Sequence, residues 1–149
     1  MNSSATNLQN DPFHLNRFLQ AQQNDYGSAL AEIRAGRKTA HWMWFIFPQF
    51  RGLGFSATSQ HFAIKSLEEA ESYLAHPILG PRLLECCEAL MEIEGRTAQQ
   101  IFGSPDDVKL KSCATLFARA SAPDSVFERL LEKYFDGQSD AKTLELLEL

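Results

Sequence analysis

Apolar residues along this chain recur at helical spacing, and the polar interruptions between them carry helix caps. Asp11 followed by Pro12 has the form of an N-cap with proline at the first helical position, and Phe13, Leu15, Phe18 and Leu19 mark one apolar face. The pattern predicts a helix ending near Gln23. A second helix is predicted from about Asp25, with Ala29, Leu30 and Ile33 on one side and Gly36 as the left-handed residue that stops it. Ser66 with Glu69 reads as a capping box opening a helix through Leu74, and His76-Pro77 restarts the chain. A longer helix is expected from about Pro81 to Ile93, stopped by Gly95. Thr97 opens a short turn through Phe102 that Gly103 closes. Ser104-Pro105 opens the next helix, where Asp106 and Asp107 meet the positive end of the dipole and Leu110, Ala114, Leu116 and Phe117 suit the interior. Pro123 in a first turn precedes Val126, Phe127, Leu130, Leu131 and Tyr134, and a last helix runs through Leu144, Leu146 and Leu147.

Period-two alternation bounded by turns is missing, and the one Asp-Gly pair, Asp136-Gly137, falls at a helix end. Only Trp42 to Phe47 competes as a short buried strand. A buried helix is preferred there, with Thr39 as its N-cap and Pro48 as its stop. The expected class is all-α, a compact single-domain multihelical orthogonal bundle of about seven to nine helices. Residues 1–10 are polar and lack apolar rhythm, which predicts a disordered tail before a single all-α domain at 11–149.

Length and charge narrow the function classes. A chain of 149 residues that is 44% hydrophobic is long enough to bury a sizeable core in one domain. The net charge of −5 with scattered lysines and arginines argues against a nucleic-acid duplex as partner. No basic-then-apolar leader and no membrane-length apolar run is present, so the expectation is a cytoplasmic protein that does not enter membranes. A monomer is the expected oligomeric state. Cys86, Cys87 and Cys113 lack C-x-x-C spacing and read as small, buried, reduced thiols. His14, His41, His61 and His76 lack metal-ligand spacing, and no residue set requires a metal or cofactor.

The chemistry concentrates in HWMWFIFPQFRGLGFS, residues 41–56. Met43, Phe45, Ile46 and Phe47 read as core, since each large apolar side chain contributes about 1.5–3 kcal/mol when buried. Trp42, Trp44 and His41 carry ring nitrogens that need partners, so they belong where a core meets a polar site. From Pro48 to Ser56 the composition is that of a loop. Gly52 and Gly54 allow close backbone approach, Arg51 offers a fork of donors, and Ser56 reads as the cap of a short helix through Phe62. With Gln49 and Lys38 beside them these residues make an anion receptor, although the loop is neither a Walker nor a Rossmann motif. Lys111 and Ser112, on the helix after Ser104, are candidates to face the same loop. No nucleophile elbow is present, and Glu68, Glu69, Glu71, Glu92 and Glu94 sit where helix surfaces and caps want carboxylates.

These residues also carry a resemblance. Glu32-Ile33 with Gly36 and Lys38, the run His41-Trp42-Met43-Trp44-Phe45-Ile46-Phe47-Pro48-Gln49, and Gly52-Leu53-Gly54 with Ser56 resemble the family known as domain of unknown function 1810. Tyr73-Leu74, His76-Pro77, Leu79-Gly80, Ile101-Phe102-Gly103, Lys109-Leu110 and Thr115-Leu116-Phe117 extend the likeness over about residues 11–136. The resemblance implies a compact all-α domain of bacterial and fungal proteins and carries no established activity. His61 stands where the family pattern implies tyrosine, and Cys113 where it implies serine or a small residue. Ser59-Gln60-His61-Phe62 is also similar to a run in proposed ADP-ribose-processing N-glycosidases.

Two readings of function follow. In the first, the protein binds or processes a small anionic metabolite, of nucleotide, ADP-ribose-like or phosphorylated type. Lys38, Arg51 and the Gly52–Ser56 backbone would hold the anion, Trp42 or Trp44 would stack on a ring, Gln49 would orient the ligand, and His41 would be the acid/base group. In the second, Phe50, Leu53 and Phe55 form an exposed apolar patch for a protein partner.

Overall fold

The computed structural model describes residues 11–148, and the expected N-terminal tail lies outside them. The chain is all-α, as the apolar spacing requires. Ten helices occur among the described residues, slightly above the expected number because several are single turns. In order they are α1 (Asn16–Gln22), α2 (Tyr26–Arg34), α3 (Met43–Ile46), α4 (Ala57–His61), α5 (Leu67–Ala75), α6 (Leu79–Glu92), α7 (Ala98–Phe102), α8 (Asp106–Arg119), α9 (Val126–Phe135) and α10 (Ala141–Leu147). The long helices α6 and α8 organise the rest. Helix α8 packs on α5, α7, α9 and α10, while α6 packs on α2, α5 and α9. One apolar cluster runs through the molecule, and Trp42, Tyr73, Phe18, Phe47, Phe117 and Phe127 are its largest fully buried members.

Most ends follow their predicted caps. Ser56, Ser66 and Thr97 each accept a backbone N–H from the third residue of the helix they open, and Thr97 with Gln100 completes a capping box. Gly36 and Gly103 adopt the left-handed φ of +75° and +74° that stops helices. Other ends differ from the sequence reading. Helix α1 starts at Asn16 rather than Pro12, because the Asp11 carboxylate accepts from Leu15 and Asn16 N–H (2.7 and 3.0 Å) across a turn in which His14 has φ +54°. Thr39 does not cap α3, which begins one residue after Trp42; the Thr39 N–H instead donates to Glu32 Oε1. Helix α6 opens at Leu79, two residues before Pro81, since the His76 imidazole accepts from Ile78 and Leu79 N–H. Ser125, rather than a turn built on Pro123, caps α9.

Glu69 is the largest correction. Its place in the Ser66 capping pattern marks it as a surface residue, yet it is 2% exposed and pairs with Arg17 at 2.6 Å. Its other oxygen accepts from Lys65 N–H (2.9 Å), so it does not close the box on Ser66. Arg17 uses all five of its N–H groups. Besides Glu69 they reach the carbonyls of His61 (2.8 Å), Phe13 (2.7 Å), His14 (2.8 Å) and Ala63 (2.9 Å).

The cysteines are buried and free, on α6 and α8. Burial pushes the Cys86 thiol up to about 12 and those of Cys87 and Cys113 well above their ordinary value, so none is a nucleophile at neutral pH.

Removing Glu69 leaves the Arg17 charge buried without its counter-ion, which costs about 3–5 kcal/mol. Glu69→Ala is therefore expected to lower the melting temperature by on the order of 10 °C. The double variant Arg17→Met/Glu69→Leu is expected to stay destabilised, because four carbonyls lose their donor. Full recovery in thermal unfolding would show that the carbonyl bonds contribute little.

Candidate functional site

After α3 the backbone extends, and Phe50 pairs with Ile64 in a single parallel β-bridge. Arg51 N–H donates to the Ile64 carbonyl and Ile64 N–H to the Gln49 carbonyl, each at 2.9 Å. The bridge draws the loop after Pro48 onto segment 61–65, the same segment whose carbonyls are held by Arg17. Between them lies a cleft of about 330 Å³, within the range of small-molecule sites. Trp44, Gln49, Arg51, Gly54, Ser59 and Lys65 give it its character, and Phe50, Gly52, Gln60 and Ala63 complete the lining.

The shape of the cleft depends on a missing side chain. A Cβ at Gly54 would lie 2.7 Å from the Ser59 Cβ and 2.9 Å from Trp44 Cη2, so only hydrogen fits where the loop turns past the indole. Gly52 has φ +92°, and a Cβ there would meet the methyls of Leu146 at 3.3 Å, which sets α10 against the same turn.

Gln49 stands apart from the other polar groups. Its side chain is buried (4% exposed), and Nε2 is the one buried side-chain nitrogen or oxygen among the described residues without a hydrogen-bond partner. Such a donor costs about 1–3 kcal/mol when nothing accepts from it. At the rim, Arg51 is exposed, donates from Nε to the Lys65 carbonyl (3.2 Å) and stacks its guanidinium over Phe50. Neither Arg51 nor Lys65 has an ion-pair partner among the described residues.

Of the residues singled out from sequence, Trp44, Gln49, Arg51, Gly52 and Gly54 come together here. The others do not. The Lys38 ammonium pairs with Asp106 at 2.8 Å and donates to the Ala40 carbonyl. Trp42 is 2% exposed, and its Nε1 donates to Glu32 Oε1 at 2.9 Å, so it offers no free face for stacking. Ser56 is exposed and serves as the cap of α4. Ser112 is buried and donates to the Val108 carbonyl, while Lys111 lies over Phe135. His41 is exposed and does not border the cleft. Phe50, expected in an exposed patch, is 4% exposed, whereas Phe55 is 85% exposed. Sequence reasoning missed Lys65 and the cleft roles of Ser59 and Gln60, which depend on a bridge one residue pair long that leaves no alternation in the sequence.

Two charge clusters hold the tryptophans. Asp106 binds both Lys38 and Lys109 (3.1 Å), and Lys109 sits over the Trp44 ring at 4.4 Å. Burial alone raises the Asp106 carboxyl, and the two ammonium groups outweigh it and hold it below its ordinary value. Glu32 Oε1 accepts from Thr39 N–H (2.7 Å), Ala40 N–H (3.1 Å) and Trp42 Nε1. Burial again raises the carboxyl, and these donors reverse it, bringing Glu32 to about 2.

Fold and cleft together define an all-α domain with a small cleft beside a single β-bridge. The chain belongs to the family described as protein of unknown function (DUF1810), whose model matches residues 12–147. It is similar to the conserved hypothetical protein Rv1873 from Mycobacterium tuberculosis, known from a crystal structure at 1.38 Å. The identity is 52% and the TM-score 0.91, over 93% of this chain and 99% of that one. A comparison with curated proteins gives no match. No helix of the described residues is long and apolar enough to cross a membrane, and no group of three His, Cys, Asp or Glu side chains among them is placed to hold a metal ion.

The depressed Glu32 carboxyl fixes the sign of a pH effect. Its folded value lies below the ordinary 4.5, so the stability it contributes is fully present above about pH 4.5 and is lost as pH falls toward 2. In urea unfolding, wild type is expected to exceed Glu32→Gln most at neutral pH, with the gap closing between pH 4.5 and 2. A gap that does not change with pH would show that the carboxylate charge is not what holds the Thr39–Trp42 turn.

Proposed function

We propose that this protein binds a small anionic organic molecule in the cleft between Trp44 and Lys65. The observation that carries this reading is the Gln49 side chain: the residue lines the cleft, and its buried Nε2 has no hydrogen-bond partner among the described residues. A buried donor left without a partner weakens the fold, and a ligand that accepts from it recovers that cost on binding. Arg51 and Lys65 give the rim positive charge with no carboxylate in the lining, and Trp44 and Phe50 supply apolar walls. The cleft borders no carboxylate, imidazole or thiol, which favours binding over acid–base chemistry. His41 has no place in that binding role. The interaction-module reading is left with one exposed side chain, Phe55, of the three that were to form its patch, which is small for a contact surface.

The test is a thermal-shift screen with inorganic phosphate, nucleotides, sugar phosphates, ADP-ribose and NAD, run on wild type, Gln49→Met and Arg51→Ala. A bound ligand at one hundred times its dissociation constant adds about 2.7 kcal/mol, a rise of several degrees. Gln49→Met is expected to be at least as stable as wild type without ligand and to lose the shift, and Arg51→Ala to reduce it. A Gln49→Met variant destabilised by several kcal/mol would identify the amide as structural and remove the main support for the site.

A further inference from the structure

A second cleft, of about 360 Å³, is bordered by Phe50, Arg51 and Lys65, the same residues that border the first. The two share that boundary and no other lining residue. Leu67, Leu146 and Leu147 give the second cleft an apolar wall, and Arg119, at the end of α8, contributes a third cation. Arg119 is exposed and makes no ion pair or side-chain hydrogen bond among the described residues. Lys38 and Lys109, by contrast, are both bound to Asp106. Glu68 is the one carboxylate in the lining of either cleft, beside three cations in the same lining. In a chain of net charge −5, Arg51, Lys65 and Arg119 border one cleft without making an ion pair among the described residues, and Arg119 also borders a further cleft with Glu128 and Glu132.

We propose that the two clefts form one groove for an elongated ligand in which a phosphodiester or pyrophosphate joins two organic groups. The phosphates would lie at the shared boundary against Arg51 and Lys65, where a guanidinium fork and an ammonium together match phosphate oxygens. One end of the ligand, a planar ring with an acceptor atom, lies against Trp44 and takes the Gln49 amide hydrogen. The other end passes over Leu146 and Leu147 to reach Arg119. This proposal rests on the reading of the Trp44–Gln49 cleft as an anion site and adds the length and the central charge of its ligand.

The experiment compares the four nucleoside monophosphates with the corresponding pyrophosphate-linked dinucleosides by calorimetry, on wild type, Arg119→Ala, Arg51→Ala and Gln49→Met. The groove predicts that a dinucleoside binds wild type about tenfold or more tighter than its mononucleotide, the factor that one charge-assisted contact supplies. Arg119→Ala should remove that advantage and leave mononucleotide affinity unchanged, whereas Arg51→Ala and Gln49→Met should weaken both probes. Equal affinities for long and short probes, or an advantage that survives Arg119→Ala, overturns the two-part groove while the anion cleft stands. Binding of neither probe, or affinities untouched by Gln49→Met, takes the anion cleft and the groove down together. Arg119 is exposed and makes no side-chain hydrogen bond among the described residues, so its variant is expected to unfold at the wild-type temperature.

Discussion

Everything around the cleft depends on where the Arg17 guanidinium goes. A buried charge is tolerated only when it is both paired and fully hydrogen-bonded, and Arg17 meets both conditions at a point where three parts of the chain converge. The turn before α1 supplies two carbonyls, segment 61–65 supplies two more, and α5 supplies the carboxylate. Segment 61–65 belongs to no helix beyond its first residue, and without these bonds its carbonyls would need water. Held by Arg17, it presents Ile64 to Phe50, and that bridge places Gln49 and Arg51 beside Lys65. The ion pair is thus less a source of net stability than a means of fixing one arrangement of irregular backbone.

The tryptophans are positioned in a similar way from the opposite side. Glu32 reaches from α2 to cap two backbone N–H groups and the Trp42 indole, and Asp106 reaches from the first turn of α8 to Lys38 and Lys109. Trp42 is thereby committed to the core, with Phe47 and Phe102 against it, and Trp44 is left at the cleft with a lysine over its ring. Two tryptophans one residue apart acquire different roles, because Glu32 binds the ring nitrogen of Trp42 while Trp44 is held from one side by Lys109 and lines the cleft.

Local grammar explains how much of this was legible in the sequence. The caps at Ser56, Ser66 and Thr97 and the stops at Gly36 and Gly103 act within one turn of chain, so residue type at fixed spacing is enough to find them. The loop from Gln49 to Gly54 was found by composition alone. What sequence could not show were partners distant along the chain. Glu69 satisfies the spacing of a capping box and is diverted by an arginine 52 positions away. Lys38 stands beside the aromatic run and is taken by Asp106, while Lys65 enters the site through a bridge with no periodic trace. Pro12, Pro81 and Pro123 mark helix starts to within a few residues and fail on the exact position, because carboxylate, imidazole or hydroxyl groups nearby cap a different backbone N–H.

The burial of the cysteines has a practical side. Cys86 and Cys87 on α6 and Cys113 on α8 lie at most 1% exposed, in the two helices on which α2, α5, α7, α9 and α10 pack. A thiol reagent in solution reaches them only when that interior opens, and the thiolate it needs forms only once the side chain meets water. The rate at which this protein consumes such a reagent is therefore a built-in clock for the opening of its centre, requiring no added label.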